Sequence, residues 1–298
     1  MTTISLAQTL VSFLTLVAEL AALFIGISFL VGLLQEYIPA ATIRRVLTDR
    51  MGQGNILGAA LGTVTPFCSC STIPVMVGLL NAGAPFGATS SFLLASPLLN
   101  PVILGLFLAV FGWRVTVVYA VLCFSLAAIL GAVWEKVGLA SYVKQVRVVG
   151  AQDGEGETDV PFSVRLQRAL RNAWTQFVEV LPYLVVGAGI GAFIHDFVPA
   201  SWVVKVAGPQ NSLAIPVAAL VGIPLYIRVE TMIPIGQVLL QKGMGLGALM
   251  ALIIGGAGAS IPELSLLASI CKPRLLAAFV VTILAVATVT GFVLNLVV

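Results

Sequence analysis

The sequence predicts an all-α polytopic membrane protein made of two inverted-topology repeats. Three observations predict it. First, 59% of the 298 residues are hydrophobic and only 9% are charged, with a mean hydropathy of +1.10. A soluble domain carries about 25% charged residues, so this chain cannot cover a globule with polar groups. Second, the apolar residues gather into eight segments, each near or above the ~20 residues that cross a bilayer. Third, the first four segments match the last four at a constant offset of 160 residues.

The first set of segments covers about 7–34, 55–80, 87–111 and 115–134. A polar stretch follows, 135–171, and its GAQDGEGETD run marks an extramembrane linker. The second set covers about 174–197, 213–240, 245–271 and 275–298. The organisation expected is a first membrane repeat (1–134), a linker (135–171) and a second membrane repeat (172–298). Residues 1–8 have no basic n-region and the first apolar run is too long for an h-region, so no cleavable signal is expected.

The repeat has a gapless register that includes rare residues. Glu19 meets Glu179, and Glu36-Tyr-Ile-Pro-Ala meets Asp196-Phe-Val-Pro-Ala. Gly62 meets Gly222, Ile73-Pro74 meets Ile233-Pro234, Gly83 meets Gly243, and Arg114 meets Arg274. Chance matching among common apolar residues does not produce such a series.

The basic residues choose between parallel and inverted halves, because Lys and Arg collect in short cytoplasmic loops. If every segment crosses, the Lys and Arg outside the segments divide seven against seven. If the second segment of each half instead dips in and returns, they divide eleven against three. The biased count predicts three full spans plus a re-entrant hairpin in each half. It also predicts a cytoplasmic linker and both termini outside. The lengths agree: residues 55–66 would form about 18 Å of helix, roughly half of a ~30 Å hydrocarbon core. The sequence between the hairpin arms, TPFCSCS (Thr65 to Ser71), would then lie near the midplane as a non-helical turn.

Non-helical backbone at that depth is tolerated only inside protein or along a wet cavity. Broken helices near the midplane of an inverted repeat are where transporters bind substrate. The offset aligns Cys68 with Arg228 and Cys70 with Glu230. One hairpin tip thus brings Cys68, Ser69, Cys70 and Ser71, and the other brings Tyr226, Arg228 and Glu230. The third segments are broken too, at ASPLLNP with Asn100 and at GGAGASIPEL with Ser260 and Glu263.

A charge in the bilayer costs about 2.5–3.5 kcal/mol on insertion scales and is by default a functional hypothesis. Glu19, Glu179, Glu230 and Glu263 are therefore candidate proton carriers. The alternatives are structural: Glu19 and Glu179 as interhelical hydrogen bonders, Arg228 and Glu230 as an ion pair bracing the hairpin. The Cys68–Cys70 pair can offer two soft ligands to one thiophilic centre. Two sulfurs are too few for a closed zinc site, so no structural metal is expected. Cys123 and Cys271 stand alone in apolar runs and read as small hydrophobes.

Thr65-Pro-Phe-Cys-Ser-Cys-Ser-Thr-Ile-Pro74, then Gly78-Leu79, Ala82-Gly-Ala-Pro85 and Ser96-Pro-Leu-Leu-Asn-Pro101, closely resemble the bacterial predicted-permease family of the YraQ/ArsP type. That family includes organoarsenical efflux permeases. The resemblance covers nearly the whole chain and implies a multi-pass permease of the bacterial inner membrane. In the arsenical branch it implies export of trivalent methylated or aromatic arsenicals, with the motif cysteines, here Cys68 and Cys70, involved. The sequence has no ATP-binding Gly-x-x-x-x-Gly-Lys motif, so a gradient or a partner would supply energy.

The function expected is secondary transport, not catalysis, with no cofactor and no nucleic-acid partner. The solute would be small and thiol-reactive or sulfur-containing. Cys68 and Cys70 would meet its soft atom or thiol, and Arg228 would hold an anionic group, since guanidinium pairs well with carboxylate. A glutathione-like thiol fits this as well as an arsenical does. The runner-up is a membrane thiol oxidoreductase that uses Cys68 and Cys70. A channel is the third reading.

Overall fold

The computed structural model describes residues 53–65, 69–144, 213–225 and 243–297, with isolated positions between 22 and 47, 166 and 182, and 232 and 240. The described residues are all-helical apart from one isolated bridge. The first half holds α1 (Gln53–Val64), α2 (Ser69–Asn81), α3 (Phe86–Ala95) and α4 (Pro101–Lys136), followed by a 3₁₀ turn at Leu139–Tyr142. The second half holds α5 (Ala214–Leu225), α6 (Leu246–Gly258), α7 (Ile261–Ile270) and α8 (Pro273–Val297).

α1 forms around a stripe of small residues. Gly54, Gly58 and Gly62 recur every four positions and are buried, while Ile56, Leu57, Leu61 and Val64 face outward. Small-xxx-small stripes let membrane helices approach backbone to backbone. A methyl on Gly58 would collide with the Ala88 carbonyl, and one on Gly62 would fall 2.9 Å from Phe92 O and 3.0 Å from Ser96 N. These contacts rise in step along both helices, so α1 and α3 run parallel.

α1 ends at Val64 and α2 begins at Ser69. α2 ends in a tight turn closed by Gly83 N to Leu80 O at 3.0 Å and Ala84 N to Leu79 O at 3.0 Å. Gly83 takes φ 79° there, a left-handed conformation that costs glycine nothing. Thr72 at the start of α2 bonds Ser96 just beyond α3, so α2 runs against α3 and therefore against α1. At 12 and 13 residues, α1 and α2 are about 18–20 Å long, too short to cross a ~30 Å core.

α3 is buried at all ten positions. α4 packs antiparallel on it: Phe86 stacks on Trp134 at 6.5 Å, and Tyr119 reaches Leu98. α4 is two helices joined at Gly112, whose φ 80°, ψ 171° is not helical. The part after Gly112 is about 36 Å long.

The second half repeats the positions of these elements at the same offset of 160 residues. α5, α6, α7 and α8 fall where α1, α3 and the two parts of α4 would place them. Gly243 takes φ 92° where Gly83 takes 79°. A methyl on Gly222 would meet Leu252 O and Gly256 N, the counterparts of Phe92 and Ser96. Gly131 lies against the Gly87 carbonyl, and Gly291 lies against that of Gly247.

The two long helices cross between the halves. Trp134 Nε1 donates to Thr282 Oγ1 at 3.1 Å and its ring meets Phe279 edge-on, while Cys123 lies beside Thr290. Moving down α4 thus means moving up α8, so these equivalent helices are antiparallel. α2 also packs on α7.

α4 and α8 are long and apolar enough to cross a membrane, and α6 with α7 makes a third such span bent by 40°. Those are the spans among the described residues, against the six full spans and two hairpins expected. One detail differs from expectation. The helix resumes at Ser69, so Ser69, Cys70 and Ser71 belong to its first turn and not to a coil reaching Ser71. Small hydroxyl residues suit a first turn, where backbone N–H groups lack partners within the helix. The break expected in the third segment falls at 96–100, and helix Pro101–Lys136 runs on through the expected boundary between the third and fourth segments with a kink at Gly112.

Candidate functional site

The end of α1, the break 96–100 and the first turn of α2 converge in the first half. α2 begins at Ser69, which puts Cys70 and Ser71 in the turn that precedes Thr72. Thr72 is fully buried and its Oγ1 lies 3.1 Å from Ser96 Oγ. Ser96 opens the break between α3 and α4, and Gly62 of α1 lies against its backbone N–H. One hydroxyl pair thus ties the start of α2 to the broken third segment.

Two further bonds fix that break. The buried Tyr119 hydroxyl donates to Leu98 O at 2.9 Å, and the Tyr119 ring stacks on Phe107 at 4.6 Å. Asn100, nearly buried, accepts from Val102 N at 2.9 Å and so caps the N-terminus of α4, with Pro101 at its first position. A proline costs nothing there, because that N–H has no helical partner.

The corresponding break in the second half lies between α6 and α7. It spans only Ala259 and Ser260, follows the glycine-rich last turn of α6 (Gly255, Gly256, Gly258), and ends at Ser260, whose side chain makes no cap bond. Glu263 sits in the first turn of α7 and is 2% exposed. Ser260-Ile-Pro-Glu263 has the spacing of a capping box, and a carboxylate in a first turn is favoured by the helix dipole.

Of the residues expected at the site, Asn100 and Glu263 are placed by their side chains. Ser69, Cys70 and Ser71 are placed by their backbone. Cys68, Tyr226, Arg228, Glu230, Glu19 and Glu179 lie outside the described residues. Among the described residues no group of His, Cys, Asp or Glu could hold a metal ion. Cys123 and Cys271 are buried free thiols. Sequence reasoning missed Tyr119 and the bond between Thr72 and Ser96. A tyrosine in an apolar span signals a buried hydroxyl, but its partner 21 residues back is chosen by packing.

A family model described as a predicted permease matches residues 4–296. The chain is similar to the UPF0718 protein YcgR of Bacillus subtilis, at 26% identity over 87% of each chain. It is similar to the UPF0718 protein YraQ of Escherichia coli, at 28% identity over 79% of this chain and 66% of that one. It is also similar to a putative two-component membrane permease complex subunit of Streptococcus mutans, at 22% identity over 93% and 92%. No solved structure matches it significantly.

Proposed function

The chain belongs to the predicted-permease family of the YraQ/ArsP type, and from that membership we propose that it is a secondary transporter of a small thiol-reactive or sulfur-containing solute. The solute is a trivalent organoarsenical or a glutathione-like thiol, carried across the bacterial inner membrane. It binds between the 65–71 tip and the 226–230 tip. Cys68 and Cys70 contact its soft atom, and Arg228 holds an anionic group. Ser69, Ser71, Asn100, Tyr226 and Glu230 complete the lining. Protons are carried by Glu263, Glu230, Glu19 or Glu179.

The observation that carries this reading is the Cys-Ser-Cys-Ser motif, whose last three residues open α2, a helix that runs antiparallel to α1 and, like α1, is too short to cross a membrane. Half-membrane helices of that kind are where transporters bind ions and solutes. The inverted arrangement has support of its own. Elements at equal positions of the two halves run in opposite directions, as α4 and α8 do. The start of the linker also touches the turn before α8: Lys144 Nζ donates to Ala268 O at 2.7 Å, and Arg274 donates to the Tyr142 hydroxyl at 2.9 Å. Lys144, Lys272 and Arg274 therefore lie together, which supports the topology that the positive-inside count favours.

Proteoliposomes test it. Flux of a trivalent phenylarsenical or of reduced glutathione is expected with the wild-type chain and is expected to be lost with Cys68→Ser/Cys70→Ser. Equal flux with both cysteines replaced would remove the thiol role. A reversible Cys68–Cys70 disulfide of defined potential, without any flux, would favour the oxidoreductase.

A further inference from the structure

A membrane span carries its two ends through the headgroup region, and the residues there meet phosphate. α8 has 25 residues and is about 37 Å long, somewhat more than a ~30 Å hydrocarbon core. Its first turn therefore reaches headgroup depth, where Lys and Arg are attracted to anionic lipids. Three cations gather at that end. Lys272 precedes α8 and Arg274 lies in its first turn. Lys144 is brought to them by backbone pairing. Val143 and Cys271 form an antiparallel bridge, flanked by Lys144 N to Ile270 O and Lys272 N to Tyr142 O, both 2.8 Å. Lys144, Lys272 and Arg274 are all exposed.

The cluster is held in place before any ligand arrives. Leu139, Tyr142 and Val143 pack on the core, so the segment carrying Lys144 is a fixed platform. Neutral groups steer each cation. Lys144 Nζ donates to Ala268 O at 2.7 Å, Lys272 Nζ to Ser141 O at 3.3 Å, and Arg274 to the Tyr142 hydroxyl at 2.9 Å. The Arg274 guanidinium lies over the Tyr142 ring at 5.6 Å. No carboxylate of the described residues pairs with any of the three. Glu135, in the last turn of α4, lies instead against Gly87 at the start of α3. Bonds to neutral acceptors leave the positive charge uncompensated, and Lys and Arg keep further donors free.

An apolar stripe runs on from the cations. Ala277, Val281, Ala285, Val289 and Phe292 follow Arg274 at intervals of three or four residues, so they share one face of α8, and all are exposed. The small Ala277 and Ala285 let an acyl chain lie close to the helix. A soluble anion could use the cations alone. A phospholipid uses both features, with the spacing of its own headgroup and tail.

We infer that the joint between the start of the linker and α8 binds an anionic phospholipid. Its phosphodiester sits among Lys144, Lys272 and Arg274, and one acyl chain lies along the exposed stripe of α8. The lipid ties the segment that leaves the first half to the last helix of the second. The inference depends on α8 as a span and not on which solute is carried. The first half offers an internal control. At the offset of 160, Lys272 becomes Gly112 and Arg274 becomes Arg114, which lies 5.9 Å from the centre of the Trp113 ring.

Native mass spectrometry of the full chain in a neutral detergent tests this, with titration by phosphatidylglycerol or by phosphatidylcholine of the same acyl chains. Wild-type protein is expected to bind phosphatidylglycerol about tenfold more tightly or more, and salt is expected to erode that preference. Lys272→Gln/Arg274→Gln should abolish the preference and leave phosphatidylcholine binding unchanged. Lys272→Arg/Arg274→Lys and Arg114→Gln should each keep it. Equal binding of the two lipids by wild-type protein, a preference unmoved by salt, its survival in the double Gln variant, or its equal loss in Arg114→Gln would each overturn the inference. Displacement of the lipid by soluble glycerol phosphate would make this a free-phosphate site and overturn it too. So would a preference seen only after Asp153, Glu155, Glu157 and Asp159 are neutralised, since the linker would then be the occupant. The salt titration and the Arg/Lys exchange keep the test decisive even if the double Gln variant does not fold.

Discussion

Gly62 and Gly222 carry a paired prediction. Each lies at a close approach of a short helix to the helix beside it. An added methyl at Gly62 would sit 2.9 Å from Phe92 O and 3.0 Å from Ser96 N, and at Gly222 it would meet Leu252 O and sit 2.9 Å from Gly256 N. Backbone atoms of a packed helix cannot swing aside as a flexible side chain can, so the helices must separate. Overpacking of this kind costs about 1–3 kcal/mol. Gly105 is the contrast: it is helical, exposed, and has no atom within 4 Å of an added methyl. Gly105→Ala therefore gains about 0.5–1 kcal/mol of backbone entropy at no packing cost. The assay is thermal unfolding in one detergent, followed by tryptophan fluorescence and by the monodisperse fraction surviving heat. Gly62→Ala and Gly222→Ala are expected to lower the midpoint by similar amounts, and Gly105→Ala to raise it. Wild-type stability in Gly62→Ala, or a loss in Gly105→Ala, would refute the close-packing argument.

Tyr119→Phe and Thr282→Val each remove one buried interhelical hydrogen bond and should cost about 0.6–1.7 kcal/mol, the range such bonds show in membranes. Tyr119→Phe should also raise hydrogen exchange across 96–100, whereas Thr282→Val should leave it unchanged. Gly112→Ala forces an alanine into φ 80°, ψ 171°, where strain costs about 1–3 kcal/mol. It should lower the unfolding midpoint although nothing lies within 4 Å to clash with the methyl.

Much of this protein was legible as pattern. Low charge and long apolar runs dictated membrane helices, because no other arrangement hides so much hydrocarbon. The 160-residue register, carried by Gly83 and Gly243 and by Gly62 and Gly222, located matching turns and close approaches, because glycine at such places is fixed by backbone geometry. The break at Ser96–Asn100 was readable for the same local reason. Packing decided the rest. Tyr119 and Phe279 occupy equal positions, yet only the tyrosine reaches a broken segment, and nothing in either span announces that reach. Residues 139–144 read only as the start of a linker, yet they pair with the end of α7. That pairing comes from where the ends of α4 and α7 meet in space, since backbone hydrogen bonds between distant segments depend on proximity that neither segment encodes alone.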